Sequence, residues 1–200
     1  MQSDSVDLAA LIASRICHDL ISPVGAISNG LELLTLSGAT GIGPEFDLIS
    51  DSCSSATARI RFFRIAFGTS SDSQMLSQNE VRRILQDVSQ GTRLRTEWLP
   101  VGDQTRREVQ LAFLALLCLE TALPLGGTVK LDRQGEVWHI EATAPRINVD
   151  PDLWQMLTEL TTRVEISPSR VQFLMLQTIA RELKRKFKVS HTVDSLKLVF

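Results

Sequence analysis

The chain lacks several features that common functions require. It has no surplus of positive charge: 21 Lys and Arg stand against 23 Asp and Glu, for a formal net charge of -2. Without a basic field to neutralise a phosphate backbone, no nucleic acid partner is expected. Cysteine is scarce, and Cys17, Cys53 and Cys118 lie far apart with no Cys-x-x-Cys pair. An odd, dispersed set of thiols argues against a disulfide framework and fits a reducing, cytoplasmic setting. No charged segment followed by an apolar core opens the chain, and no apolar run reaches the ~18 residues of a membrane-spanning helix, so a soluble protein with no membrane contact is expected. Internal repeats and low-complexity tracts are absent. Of the three histidines, His139 and His191 have no carboxylate or cysteine at metal-ligand spacing and are expected to be structural.

What is present is an ordinary globular mixture, 44% hydrophobic and 22% charged, enough to bury a core. That leaves a protein partner or a small molecule as the ligand. The chain divides into two halves of different character, 1–68 and 69–200, separated near the small polar stretch Gly68-Thr69-Ser70-Ser71-Asp72-Ser73.

In the first half Leu8, Leu11, Ile12, Ile16, Leu20, Val24, Ile27, Leu31 and Leu34 recur three or four residues apart, which predicts an amphipathic helix from about 6 to 36. After a turn at 37–43, Pro44 suits a first helical position, and Phe46, Ile49, Cys53, Ala56, Ile60, Phe63 and Phe67 form a heptad seam. An isolated helical hairpin leaves apolar surface uncovered. Pairing of two hairpins in a dimeric four-helix bundle would cover it, and so would packing of the second half within one chain. The pattern predicts burial of Phe46, Ile49, Ile60 and Phe63 between bundle helices.

The second half opens with the capping box Ser77-Gln78-Asn79-Glu80 ahead of Val81, Ile84, Leu85 and Val88, with Gly91 where that helix stops. A strand at 93–99, an apolar helix at 105–123, and a hairpin of Thr128–Asp132 with Val137–Thr143 follow. A short helix at 151–160, a long one at 168–186 and a last strand at 195–200 complete an α+β sandwich with a mostly antiparallel sheet. Arg181, Lys184, Arg185, Lys186 and Lys188 suit a solvated helix C-terminus.

His18 lies opposite the apolar stripe of the first helix and should point away from the packing surface. Along its face are Ser14, Ser22, Gly25 and Asn29, small or neutral side chains that would let a protein surface approach the imidazole. Pro23 removes a helical donor just beyond it and predicts a local bend. Neutral imidazole is nucleophilic near neutral pH, and a phosphoryl group on it remains labile to transfer. Asp19 suits either of two roles, orienting or deprotonating that ring or acting as a solvated helix charge.

The run Arg15-Ile16-Cys17-His18-Asp19-Leu20-Ile21-Ser22-Pro23-Val24-Gly25-Ala26-Ile27-Ser28-Asn29-Gly30-Leu31-Glu32-Leu33-Leu34 resembles the phosphoacceptor helix of ChpT-type histidine phosphotransferases of bacterial two-component phosphorelays. The resemblance implies an N-terminal hairpin forming a dimeric four-helix bundle, then a degenerate histidine-kinase ATPase-like α/β sandwich. It implies relay of a phosphoryl group between receiver-domain aspartates through His18, assisted by Asp19. Receivers would dock on Ser14, Arg15, Ser22, Gly25, Asn29, Arg61 and Arg64, with Arg59 nearby. A hybrid histidine kinase would stand upstream and response regulators of the CtrA type downstream. No cofactor is expected on this chain, and Mg2+ would come with the receiver.

A kinase of this layout holds ATP with an asparagine-bearing helix, an Asp-x-Gly-x-Gly turn and a second glycine-rich loop, because only glycine lets backbone N–H groups approach phosphate closely. Here Cys118 or an apolar neighbour takes the asparagine's place. The first turn becomes Ala144-Pro145-Arg146-Ile147-Asn148-Val149-Asp150, and Ser167-Pro168-Ser169-Arg170-Val171-Gln172 stands ahead of the last helix. Gly126-Gly127 fits a turn leading into a strand better than a phosphate loop. ATP-dependent autokinase activity is therefore not expected. The other readings are an adaptor that binds receivers without being phosphorylated and a kinase with divergent nucleotide motifs.

Overall fold

The computed structural model describes residues 2–37, 43–69, 73–159 and 165–200. Two antiparallel helices come first, α1 (Gln2–Ser37) and α2 (Pro44–Ala66). Gly30 of α1 packs close against α2, where an added Cβ would lie 2.5 Å from Ile49 Cγ1 and 3.3 Å from the Glu45 carbonyl oxygen. The helix begins earlier than its apolar pattern and runs unbroken through Pro23. Between Asp7 and Leu36 it is long and apolar enough, by length and composition, to cross a membrane, a property that its scattered polar residues hid from a search for one apolar run. Of the turn expected between the helices, 38–42 lie outside the described residues, as do 70–72 of the expected linker.

The remaining elements are β1 (Met75–Leu76), α3 (Gln78–Ser89), β2 (Leu94–Trp98), β3 (Gln104–Thr105), α4 (Arg106–Glu120), β4 (Gly127–Gln134), β5 (Val137–Thr143), α5 (Pro151–Thr158), α6 (Val171–Glu182), β6 (Lys188–His191) and β7 (Ser195–Val199). Ser77 Oγ accepts from the Glu80 N–H at 3.1 Å as the capping box predicted, and Thr105 Oγ1 caps α4 in the same way, accepting from Glu108 N–H at 3.3 Å. The five-stranded sheet has the order β2-β4-β5-β7-β6, and only β2 and β4 run parallel. One sheet face buries Val129, Leu131, Trp138, Ile140, Ala142, Leu196 and Leu198. The other carries charge, with Lys197 Nζ 3.1 Å from Glu141 and Lys130 Nζ 3.8 Å from Glu97, each pair in cross-strand register.

α4 is apolar on nearly every side and is buried between the sheet, α6 and the hairpin. Phe62 of α2 stacks on Phe113 of α4, and Phe63, Ile65 and Ala66 enter the same core. Gln110 Nε2 donates to the carbonyls of Ala66 (3.2 Å) and Gly68 (2.8 Å), satisfying acceptors that a helix end leaves open. This corrects the expectation for Phe63, whose cover was sought between bundle helices. Phe63 is buried by the second half of its own chain, Ile49 is half-buried, and Phe46 and Ile60 stay exposed. Ile21, Val24, Leu31 and Leu36 of α1 are exposed as well.

The last helix is also shorter than expected. A 3-10 turn at Pro168–Arg170 precedes it, it ends at Glu182, and Lys184 turns through a φ of 56°. That turn brings Arg185 inward, so the basic cluster is not simply solvated: an Arg185 Nη lies 2.5 Å from Glu108, which also accepts from Trp138 Nε1 at 2.7 Å. The end of the helix expected at 151–160 lies partly outside the described residues.

Candidate functional site

His18 stands beside the contact between α1 and α2 rather than within it, and its side chain is 83% exposed. Asp19, one residue on, turns 100° toward the body of the protein and is only 11% exposed. Asp19 Oδ1 lies 3.1 Å from His18 Nδ1. A carboxylate only accepts, so this contact calls for the hydrogen on Nδ1, and in the neutral ring that leaves the lone pair on Nε2. Asp19 Oδ2 in turn accepts from Arg15 Nε at 2.9 Å, and Arg15 Nη1 donates to the backbone carbonyl of Ser169 at 2.8 Å.

An open cleft of about 1110 Å³ lies beside the imidazole. α1 contributes His18, Asp19, Ser22, Pro23 and Ala26, and α2 contributes the small residues from Asp51 to Ser55 together with Arg59 and Arg61. The far wall is the turn from α3 into β2, Gln90-Gly91-Thr92, with Asp87 behind it. Gly91 takes a φ of 71°, which ends α3 and directs the chain into the strand. Arg61 Nη1 lies 3.9 Å from Asp87 Oδ2 across the cleft.

The residues expected to contact a partner therefore separate. Ser22 and Arg61 share the cleft with His18, as does Arg59. Ser14 and Asn29 are exposed on α1 outside it, and nothing lies within 4 Å of the position a Cβ would take at Gly25. Arg64 does not line the cleft, and its backbone carbonyl accepts from Arg106. Arg15 is turned inward and 17% exposed, engaged with Asp19 and Ser169 rather than presented to solvent. The α3–β2 turn was missed because it comes from a distant part of the sequence. The run Ser52-Cys53-Ser54-Ser55 was missed too, although a stretch of small side chains on α2 like that flanking His18 was the signal for it.

Below the cleft a narrower groove joins Arg15, Asp19 and Arg59 to Phe62, Leu116 and Glu120. Glu120 keeps contact with solvent but is walled by protein on most sides. That desolvation raises its carboxyl above the ordinary range; Arg15 and Arg59 oppose the rise and Asp19 adds to it. Cys118, one turn along α4 from Leu114, is fully buried, and burial pushes its thiol well up against the weaker opposing charge of Arg170. A neutral thiol there serves as packing.

At Gly126-Gly127 close approach accounts for both glycines. A Cβ on Gly126 would lie 2.4 Å from the Arg93 carbonyl oxygen, and one on Gly127 would lie 2.5 Å from that of Thr143. Their N–H groups already donate to Leu123 and Arg93. Among the described residues no group of three His, Cys, Asp or Glu side chains is placed to hold a metal ion.

Residues 78–195, from the first residue of α3 to the first of β7, match the family described as histidine phosphotransferase C-terminal domain. The chain belongs to the histidine phosphotransferase family. It is 29% identical, over 96% of its own length and 94% of the relative's, to the protein phosphotransferase ChpT of Brucella abortus (strain 2308). A solved structure described as a bacterial phosphotransferase superposes with a TM-score of 0.79 at 28% identity, covering 97% of this chain and 95% of that one. Family membership agrees with the resemblance carried by residues 15–34, and both comparisons extend across the hairpin as well as the sheet half of this histidine phosphotransferase.

Proposed function

We propose that this histidine phosphotransferase relays a phosphoryl group between receiver-domain aspartates through Nε2 of His18. The observation that carries the reading is the pairing of a solvent-facing His18 with an inward Asp19 that holds Nδ1. Nε2 is then the nucleophile presented to a docking protein. Its lone pair attacks the phosphorus of an aspartyl phosphate, the P–O bond to the receiver breaks, and the bonding pair leaves with the receiver's carboxylate. The Nδ1 hydrogen stays on the ring, and Asp19 offsets the positive charge that the ring acquires. The reverse attack, by a second receiver's carboxylate, discharges the phosphohistidine. Mg2+ belongs to the receiver's acidic pocket in this scheme.

The small residues lining the cleft support docking at His18, and Arg59 and Arg61 supply positive charge for an acidic partner surface. The receiver of a hybrid kinase upstream and regulators of the CtrA type downstream are the partners this reading calls for. The exposed apolar side chains of the hairpin support a homodimer built as a four-helix bundle. Loss of autokinase activity is supported by buried Cys118, by glycines whose N–H groups are already engaged, and by the non-glycine residues at 144–150 and 167–172.

Incubation with a phosphorylated receiver should give acid-labile, base-stable phosphate on the wild-type chain and none on His18→Gln, with stability changed by no more than about 0.5 kcal/mol at this exposed position. Label retained by His18→Gln would remove the reading, and absence of label from the wild type would leave only an adaptor. Titration calorimetry with ATP and magnesium should register no binding at ~1 mM nucleotide, a range that reaches even weak complexes.

A further inference from the structure

We propose that Arg15 is a positioning residue for phosphoryl transfer, fixing Asp19 and through it the tautomer of His18, with the second half of the chain as its anchor. The inference rests on the role proposed for His18. Arg15 sits one turn before Asp19, where an exposed i,i+4 pair would contribute little. This pair is not exposed: the side chains are 17% and 11% accessible. The two ends of the guanidinium do different work. Nε donates to Asp19 Oδ2 at 2.9 Å, and Nη1 donates to the Ser169 carbonyl at 2.8 Å, 154 residues away in sequence. With Oδ2 occupied, Oδ1 is the oxygen left to meet His18 Nδ1 at 3.1 Å.

The consequence concerns the lone pair. An imidazole in water with no partner favours the hydrogen on Nε2, which would block the nitrogen proposed to attack phosphorus. Asp19 reverses that preference only while its carboxylate stays oriented. His18 is too exposed to be held by packing, so its order comes from Asp19, and that of Asp19 from Arg15. Ser169 lies in the 3-10 turn of Pro168–Arg170, so its carbonyl ties the phosphoacceptor's supporting arginine to the sheet half. The rigid fork of arginine suits this double duty, and the point charge of lysine does not reproduce it.

The test uses the full-length chain with His18 ring nitrogens observed by nitrogen-15 NMR, alongside transfer from a phosphorylated receiver. In the wild type Nδ1 should carry the hydrogen. Arg15→Met, which keeps most of the stem, should shift the population toward Nε2–H and slow transfer about tenfold or more at saturating receiver, with receiver affinity little changed. Arg15→Lys should lie between the two, and it serves by itself if Arg15→Met does not fold. Unchanged ring shifts in a folded variant, even with slower transfer, would overturn the proposal by reducing Arg15 to a staple between the halves. A wild-type ring with the hydrogen on Nε2 would also overturn it. The NMR measurement requires no transfer, so a failure of the proposed function, seen as phosphate on His18→Gln, is read separately.

Discussion

The rings of Phe62 and Phe113 lie 4.5 Å apart, centroid to centroid, with their planes 8° from parallel. One ring belongs to the hairpin and the other to the central helix of the sheet half, and both are almost wholly buried. The stack therefore joins the two halves, with Phe62 also lining the groove shared by Arg15, Asp19 and Glu120. Phe62→Ala should destabilise the chain by about 3–5 kcal/mol through lost burial and the cavity left behind. Urea unfolding of the variant and wild type measures this, and a cost under about 1 kcal/mol would mean that the halves are held together elsewhere.

Sequence periodicity made the hairpin legible, since α1 and α2 have long amphipathic patterns and a proline at the start of α2. It also located α3, β2, β4, β5 and β7, each marked by a cap or by alternation between turns. It did not reveal which face of α2 the second half covers. Phe62, Phe63 and Ile60 are all apolar, and only the position of α4 buries the two phenylalanines while Ile60 stays exposed. β1 and β3, two residues each, are too short to show a period. The end of α6 was misplaced because the chain turns there to deliver Arg185 to Glu108, a tertiary demand that helical propensity does not report. At the site, His18 and Asp19 were legible from their place on the helix. The inward role of Arg15 was not, because its second partner is a backbone carbonyl.

Gly30 packs directly against Ile49 of α2. Gly30→Val should cost about 1–3 kcal/mol by overpacking against Ile49, outweighing the gain in helix propensity. Ile49→Ala in the same chain should recover most of that loss. A double-mutant cycle on thermal stability measures the coupling, and simple additivity would show that the helices yield at this point.

Glu108 is the polar centre of the sheet half. It accepts from Trp138 Nε1 at 2.7 Å and meets Arg185 at 2.5 Å and Arg133 at 3.5 Å. Glu108→Ala should cost about 3–5 kcal/mol, because it leaves buried guanidinium groups without a counter-charge. Replacing Arg185 by Met in that background should return part of the loss. Chemical denaturation checks both, and a neutral Glu108→Ala would mean that water reaches the network.

The uncovered apolar side chains of the hairpin bear on assembly. Val24 and Leu31, two turns apart and both exposed, lie on a surface that pairing of two chains would cover. Light scattering should find a dimer at concentrations of roughly tens of micromolar, where an extensive apolar interface is saturated. Leu31→Glu should shift it toward monomer. A wild-type monomer under those conditions would leave the bundle without support.

The placement of the tryptophans divides the molecule optically. Trp98, Trp138 and Trp154 are all buried in the sheet half, and the chain contains no tyrosine. Tryptophan emission therefore originates wholly in the sheet half. Thiol chemistry gives the opposite view, since Cys17 and Cys53 of the hairpin are exposed while Cys118 is buried. A dye attached to the accessible thiols and the native tryptophan signal thus report on separate halves of one chain. Coincident denaturation curves from the two would establish that the phosphoacceptor helix and the sheet melt as a single cooperative unit.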